Sequence, residues 1–219
     1  MPMVLNKNQI REAIAAGKLV FEPGLDGFQL QPNSIDLRVG WSFYVPQTWE
    51  MTQDGRVALR ADYFDTEANK EYFKLVKLKP GQYFEVLSHE FILISTLEKI
   101  TLVGGDLSCA LHARSSLLRR GLTIGGGIVD TFYIGQLTIP IINNANHTVR
   151  LYPGERIIQL VVHQSPTALE KAEAEKHGLT DGKYVRSTPY GLEARSDSID
   201  EIGLIKTGKI DELKQKFVL

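Results

Sequence analysis

In this 219-residue chain, the residue types with the clearest chemical potential lie between His112 and Gln159. Arg114-Ser115-Ser116 sets a cation and two hydroxyls at the end of an apolar run, and Arg119 and Arg120 follow closely. Guanidinium, hydroxyl and backbone N–H groups all donate to phosphate oxygens, so this is a natural anion site. A strand end with solvated arginines has the same composition. Gly125-Gly126-Gly127 permits unusual backbone angles and close approach of a ligand to the main chain, although a bulged hairpin uses glycines in the same way. Asp130 follows two apolar residues, with Tyr133 three positions on. A carboxylate there can orient and deprotonate water, and the ring can pack against a flat ligand. A turn aspartate bonding its own backbone is the competing reading.

Other chemistry is excluded by what the chain lacks. There is no Walker loop, dinucleotide fingerprint, HExxH or GxSxG. The only cysteine is Cys109, inside the apolar run Leu107–Leu111, so it reads as a core hydrophobe; internal disulfides, Cys-based zinc sites and CxxC redox pairs cannot form. His89, His112, His147, His163 and His177 show no ligand spacing, and no residue is assigned to a metal. A net charge of −1 gives no global pull toward nucleic acid, so any polyanionic ligand must be held by local donors. The opening MPMVLNKNQI has no basic region leading into an apolar stretch, and no apolar run suits a membrane span. The expectation is a cytoplasmic protein that binds neither nucleic acid nor membrane.

The elements that must position these groups are mostly strands. Asn6 and Gln9 have capping-box spacing, Leu5 and Ile10 fall at staple positions, and Gly17 can stop a helix, which predicts a short helix within residues 1–20. After Pro23 come short apolar or alternating runs: Ser34–Val39, Phe43–Val45, Lys74–Lys79, Tyr83–Leu87, Phe91–Ser95, Leu107–Ala113, Ile134–Ile142, Val149–Tyr152 and Ile157–Val162. Turn residues such as Pro80-Gly81, Gly104-Gly105 and Pro153-Gly154 punctuate them. This spacing predicts an all-β antiparallel sandwich or barrel, not βαβ units. Helical signal returns in Thr167–His177 and Ile210–Phe217, so residues 1–219 read as a single domain with a C-terminal helical extension from about residue 167.

Gly127-Ile128-Val129-Asp130-Thr131-Phe132-Tyr133-Ile134-Gly135 resembles the third motif of trimeric dUTP diphosphatases, with Val129 in the isoleucine place. Ala113-Arg114-Ser115-Ser116-Leu117 resembles their second motif, with Ser116 where a glycine is usual, and Pro153–Gln159 resembles their fourth. The rest of the chain is similar to the sister dCTP deaminases: Leu30–Gly40 matches their N-terminal signature, and Lys183-Tyr184 their C-terminal nucleotide-covering segment. The resemblance implies a distorted β-barrel or jelly roll of the dUTPase-like (β-clip) type and a homotrimer with shared sites. It also implies Mg²⁺ bound through the substrate triphosphate.

The same resemblance assigns roles. Asp130 would activate water, and Tyr133 would pack beneath the deoxyribose. Backbone groups of the Gly127–Gln136 hairpin would read the base, and Arg114, Ser115, Ser116 and Gln159 would hold phosphates or water. Lys183 and Tyr184 would belong to the lid. Asp36 would either contact metal-bound water or serve structure. The family's deaminases use a glutamate on the strand after the aspartate turn, and Pro140 stands in its place. Proline cannot take a proton from water or return it to a leaving amine. The expectation is therefore a dUTP diphosphatase yielding dUMP and pyrophosphate. The alternatives are a dCTP deaminase, mono- or bifunctional, and a non-catalytic nucleotide-binding regulator.

Overall fold

The computed structural model describes residues 3–59, 73–174, 176–177, 180–181, 186–187 and 198–218. The first helix, Lys7–Ala15, starts at the expected capping box. Asn6 Oδ1 accepts from the backbone N–H groups of Asn8 and Gln9 at 3.0 and 3.2 Å, and Gln9 Oε1 accepts from Asn6 N–H at 3.0 Å. Ile10 and Ala13 bury one face, and Gly17, at φ +70°, makes the left-handed turn that ends the helix.

The main sheet path runs Leu122–Ile124, Ile134–Asn143, Phe91–Leu102, Ile35–Pro46, Arg156–Gln164, Leu107–Ala113, Gly127–Val129, each pair antiparallel. Its two outermost strands are consecutive in the chain, joined only by Gly125-Gly126. Three Cα steps span at most about 11 Å, so the sheet must curl until its edges approach one another. The result is the expected distorted all-β barrel. Period-two alternation supplies its inner face: Leu107, Cys109 and Leu111 on one strand, and Leu137, Ile139 and Ile141 on another, join Ile35, Leu37, Phe43, Ile92 and Ile94 in one core.

The glycine run works through space rather than dihedral freedom. None of Gly125, Gly126 or Gly127 has a positive φ. At Gly125 an added Cβ would lie 2.4 Å from Pro140 Cγ, so the missing side chain is what lets the connection cross the Ile134–Asn143 strand.

Several elements differ from expectation. Ser34–Val39 and Phe43–Val45 belong to one long strand, Ile35–Pro46, and Phe91–Ser95 continues to Leu102 through a bulge opposite Gln136–Thr138. Among the described residues of Thr167–His177, only Lys171–Ala174 is helical. The segment before it is held to a loop instead, with Ser165 N–H donating to Asp106 O at 2.8 Å and Leu169 N–H to Gly105 O at 3.0 Å. The terminal helix covers Ile210–Lys216, and Ile199–Lys206 is a helix that the sequence pattern did not announce. Among the described residues, no helix is long and apolar enough to cross a membrane.

Gly125→Ala should lower stability by about 1–3 kcal/mol through overpacking against Pro140. Adding Pro140→Ala in the same chain should recover most of that loss in denaturant unfolding. Equal stability of Gly125→Ala and the parent would contradict the close approach.

Candidate active site

The anion cluster is assembled across three neighbouring strands. Gln159 pairs with Asp36 on one side and His112 on the other, and Arg114 follows directly after Ala113 at the strand end. Asp36 is 1% exposed; its Oδ2 lies 3.0 Å from Arg114 Nε and 3.4 Å from Arg156 Nη1, while Oδ1 has no hydrogen bond of ordinary geometry among the described residues. Arg114 Nη1 also donates to Arg156 O at 2.7 Å, and Arg156 Nη1 donates to Phe28 O. Burial pushes the Asp36 carboxyl up from 3.8, against the pull of Arg114, Arg156 and the Gln159 side chain. Paired in this way, Asp36 Oδ2 holds the guanidinium groups of Arg114 and Arg156 side by side.

Ser115 and Ser116 open a four-residue helix, Ser115–Leu118, and both are exposed. The two arginines that follow have separate fates. Arg120 is tied to Glu155 at 2.6 Å and to Arg150 O, whereas Arg119 is exposed beside the two serines.

The other half is the hairpin around Asp130. Val129 pairs with Cys109, Asp130 is exposed just beyond it, and Phe132 takes φ +60° in the turn. Thr131 Oγ1 donates to Gly104 O at 2.6 Å and fixes the turn to the neighbouring loop. Tyr133 is buried, and its hydroxyl donates to Gln136 O at 3.0 Å, so it braces the hairpin from within. Gln136 Nε2 donates to Thr96 O and Leu97 O at 3.0 and 3.2 Å. Gly127 is exposed at the start of the hairpin. Asp130 and Thr131 line a cleft of about 500 Å³ with Ser108 and the 165–169 segment.

These two halves are not brought together within one chain. Cys109, opposite Val129, lies within the strand Leu107–Ala113, and Arg114 lies just past its end, about 17 Å away at the usual rise per residue. The cleft beside Asp130 contains none of Arg114, Ser115 or Gln159. Lys183 and Tyr184 lie outside the described residues. No signal in the sequence pointed to the buried polar bridge of Gln29 and Glu98 beneath the anion cluster, because its partners are 69 positions apart. Among the described residues, no group of three or more His, Cys, Asp or Glu could hold a metal ion.

The curled antiparallel barrel is of the dUTPase-like type. It matches the solved 2′-deoxycytidine 5′-triphosphate deaminase of Agrobacterium tumefaciens with a TM-score of 0.57 at 22% identity, covering 78% of this chain and 51% of that one. This chain thus spans about half of that solved chain. The family model for dCTP deaminase-like proteins matches residues 4–165, and the chain belongs to that family. Its similar relatives include the "dCTP deaminase, dUMP-forming" of Methanobrevibacter smithii, 31% identical over 84% of this chain and 90% of the relative. The protein of the same name in Sulfurihydrogenibium sp. is 34% identical over 80% and 91%.

These relatives overturn the expectation of a dUTP diphosphatase. That expectation weighed Pro140 above the rest of the chain, whereas the likeness to dUMP-forming dCTP deaminases runs through most of its length.

Burial also pushes Glu98 up from 4.5, as it does Asp36 from 3.8. Folding therefore favours the protonated form of both, and each subtracts stability as pH climbs from its ordinary value through its raised one. Asp106 runs the other way: the hydrogen bond from Lys18, at 2.7 Å, holds it below 3.8, and that stabilisation fades as pH falls through the lowered value. Thermal melting should thus rise as pH falls toward the ordinary value of 4.5 for Glu98 and drop in stronger acid. Glu98→Gln should flatten the first limb; an unchanged slope just above pH 4.5 would contradict the assignment.

Proposed function

We propose that this chain converts dCTP and two waters to dUMP, ammonia and pyrophosphate. The observation that carries this reading is the presence of both an anion cluster and the Asp130 hairpin in a chain that matches dUMP-forming dCTP deaminases over most of its length. One water adds to C4 of the base, and the exocyclic amine takes a proton and leaves as ammonia. A second water attacks the α-phosphorus, the bond to the bridging oxygen of the β-phosphate breaks, and pyrophosphate departs. Asp130, exposed in its cleft, is the carboxylate that takes a proton from water. Pro140 supplies no second proton-transfer group, so amine loss is the slower half.

In this reading Arg114, Ser115, Ser116, Arg119 and Gln159 hold the triphosphate and stabilise the departing charge. The backbone of Gly127 and Gln136 reads the base edge, Tyr133 shapes the sugar site, and Lys183 and Tyr184 belong to the lid. Mg²⁺ carried on the substrate's triphosphate would neutralise part of its charge. The distance between the two halves favours a homotrimer in which the anion cluster of one copy completes the Asp130 hairpin of the next. Residues 1–219 act as one domain in this assembly.

Purified protein given dCTP and Mg²⁺ should release ammonia and pyrophosphate in equal amounts, and light scattering should report a trimer. Asp130→Asn should lower both products by about 100-fold or more. Pro140→Glu should speed ammonia release by about tenfold or more. Unconsumed dCTP, or pyrophosphate without ammonia, would refute the reading.

A further inference from the structure

The strand Ile35–Pro46 has an unusual splay at its start. Its pairing with Phe91–Leu102 begins only at Val39, opposite Thr96, so Asp36–Arg38 have no ladder partner on that side. Two buried side chains fill the gap. Gln29 brackets Asp36: its carbonyl accepts from Asp36 N–H at 2.7 Å, and its Nε2 donates to Asp36 O at 2.9 Å. The same Nε2 donates to Glu98 Oε1 at 2.6 Å, and Arg38 N–H donates to Glu98 Oε2 at 3.0 Å. Gln29 Oε1 accepts from Asp26 N–H at 3.1 Å, which occupies the amide at both ends.

Glu98 is 1% exposed and Gln29 2%. A buried carboxylate is costly, and here it replaces missing ladder contacts directly beneath Asp36. Its own main chain belongs to the bulge that holds the hairpin: Thr96 Oγ1 donates to Glu98 O at 2.8 Å and accepts from Leu137 N–H at 3.0 Å.

We propose that Glu98 is a positioning residue for phosphate binding: through Gln29 and Arg38 N–H it fixes the backbone of Asp36, which aims Arg114 and Arg156. Glu98 touches no ligand itself. The inference rests on the proposed role of Arg114 in holding phosphates.

Isothermal titration with inorganic tripolyphosphate reads this step without any need for turnover. Glu98→Gln sets an amide N–H₂ against a donor, and Gln29→Met removes the bridge to Asp36. Each should weaken tripolyphosphate binding by about tenfold. With dCTP as substrate, each should raise KM by a similar factor while kcat stays within about twofold. Ile94→Val, a core change in the same barrel, serves as the stability control and should leave tripolyphosphate affinity within about twofold. Should Glu98→Gln fail to fold, Gln29→Met carries the test. Parental affinity in the Glu98 and Gln29 variants, or an equal loss in Ile94→Val, would overturn the proposal. A parent protein that does not bind tripolyphosphate would overturn it along with the phosphate role of Arg114. Tripolyphosphate binding without dCTP turnover would sink the proposed reaction alone.

Discussion

A carboxylate cannot remain ionised in a protein interior without cations and donors close by. Asp36 meets that condition through Arg114 and Arg156, and much of the barrel's polar architecture follows from it. The two arginines come from different strands, so satisfying one charge also fixes the order in which three strands lie. Because the same guanidinium groups retain partial exposure, the arrangement is at once an internal brace and an outward-facing cationic patch. Removing one partner would leave buried charge uncompensated, a larger cost than an exposed ion pair is worth.

The hairpin half obeys a different constraint, steric rather than electrostatic. The sheet closes through two glycines, and Gly125 sits on the ring of Pro140. Proline suits this place because its compact ring packs under the crossing chain, while its carbonyl still accepts from Gly125 N–H at 2.8 Å. Pro140 is thereby part of the packing that shuts the barrel.

Much of this was legible in the residues. The capping box at Asn6 and Gln9 is a local pattern and formed as read, as did the Leu107–Ala113 strand with its alternating faces. Asp130, Arg114 and Gln159 could be singled out as candidates because motif spacing survives in one dimension. What could not be read depends on distant partners. The Gln29–Glu98 bridge joins residues far apart in the chain, and the start of Thr167–His177, helical by composition, is instead held to a loop, with Leu169 N–H donating to Gly105 O. The substrate inference failed for a related reason: one substituted position was set against an overall likeness that runs through most of the chain.

Cys109 lies between two strands, opposite Val129 on one side and Val162 on the other, and is 1% exposed. Burial pushes its thiol up to about 12, so little thiolate forms at neutral pH. No other thiol exists in the sequence. Alkylating reagents can therefore react only when the barrel itself parts along this seam. The rate of their uptake is a built-in clock for core opening, readable by mass spectrometry on the unaltered protein and uncomplicated by a second site.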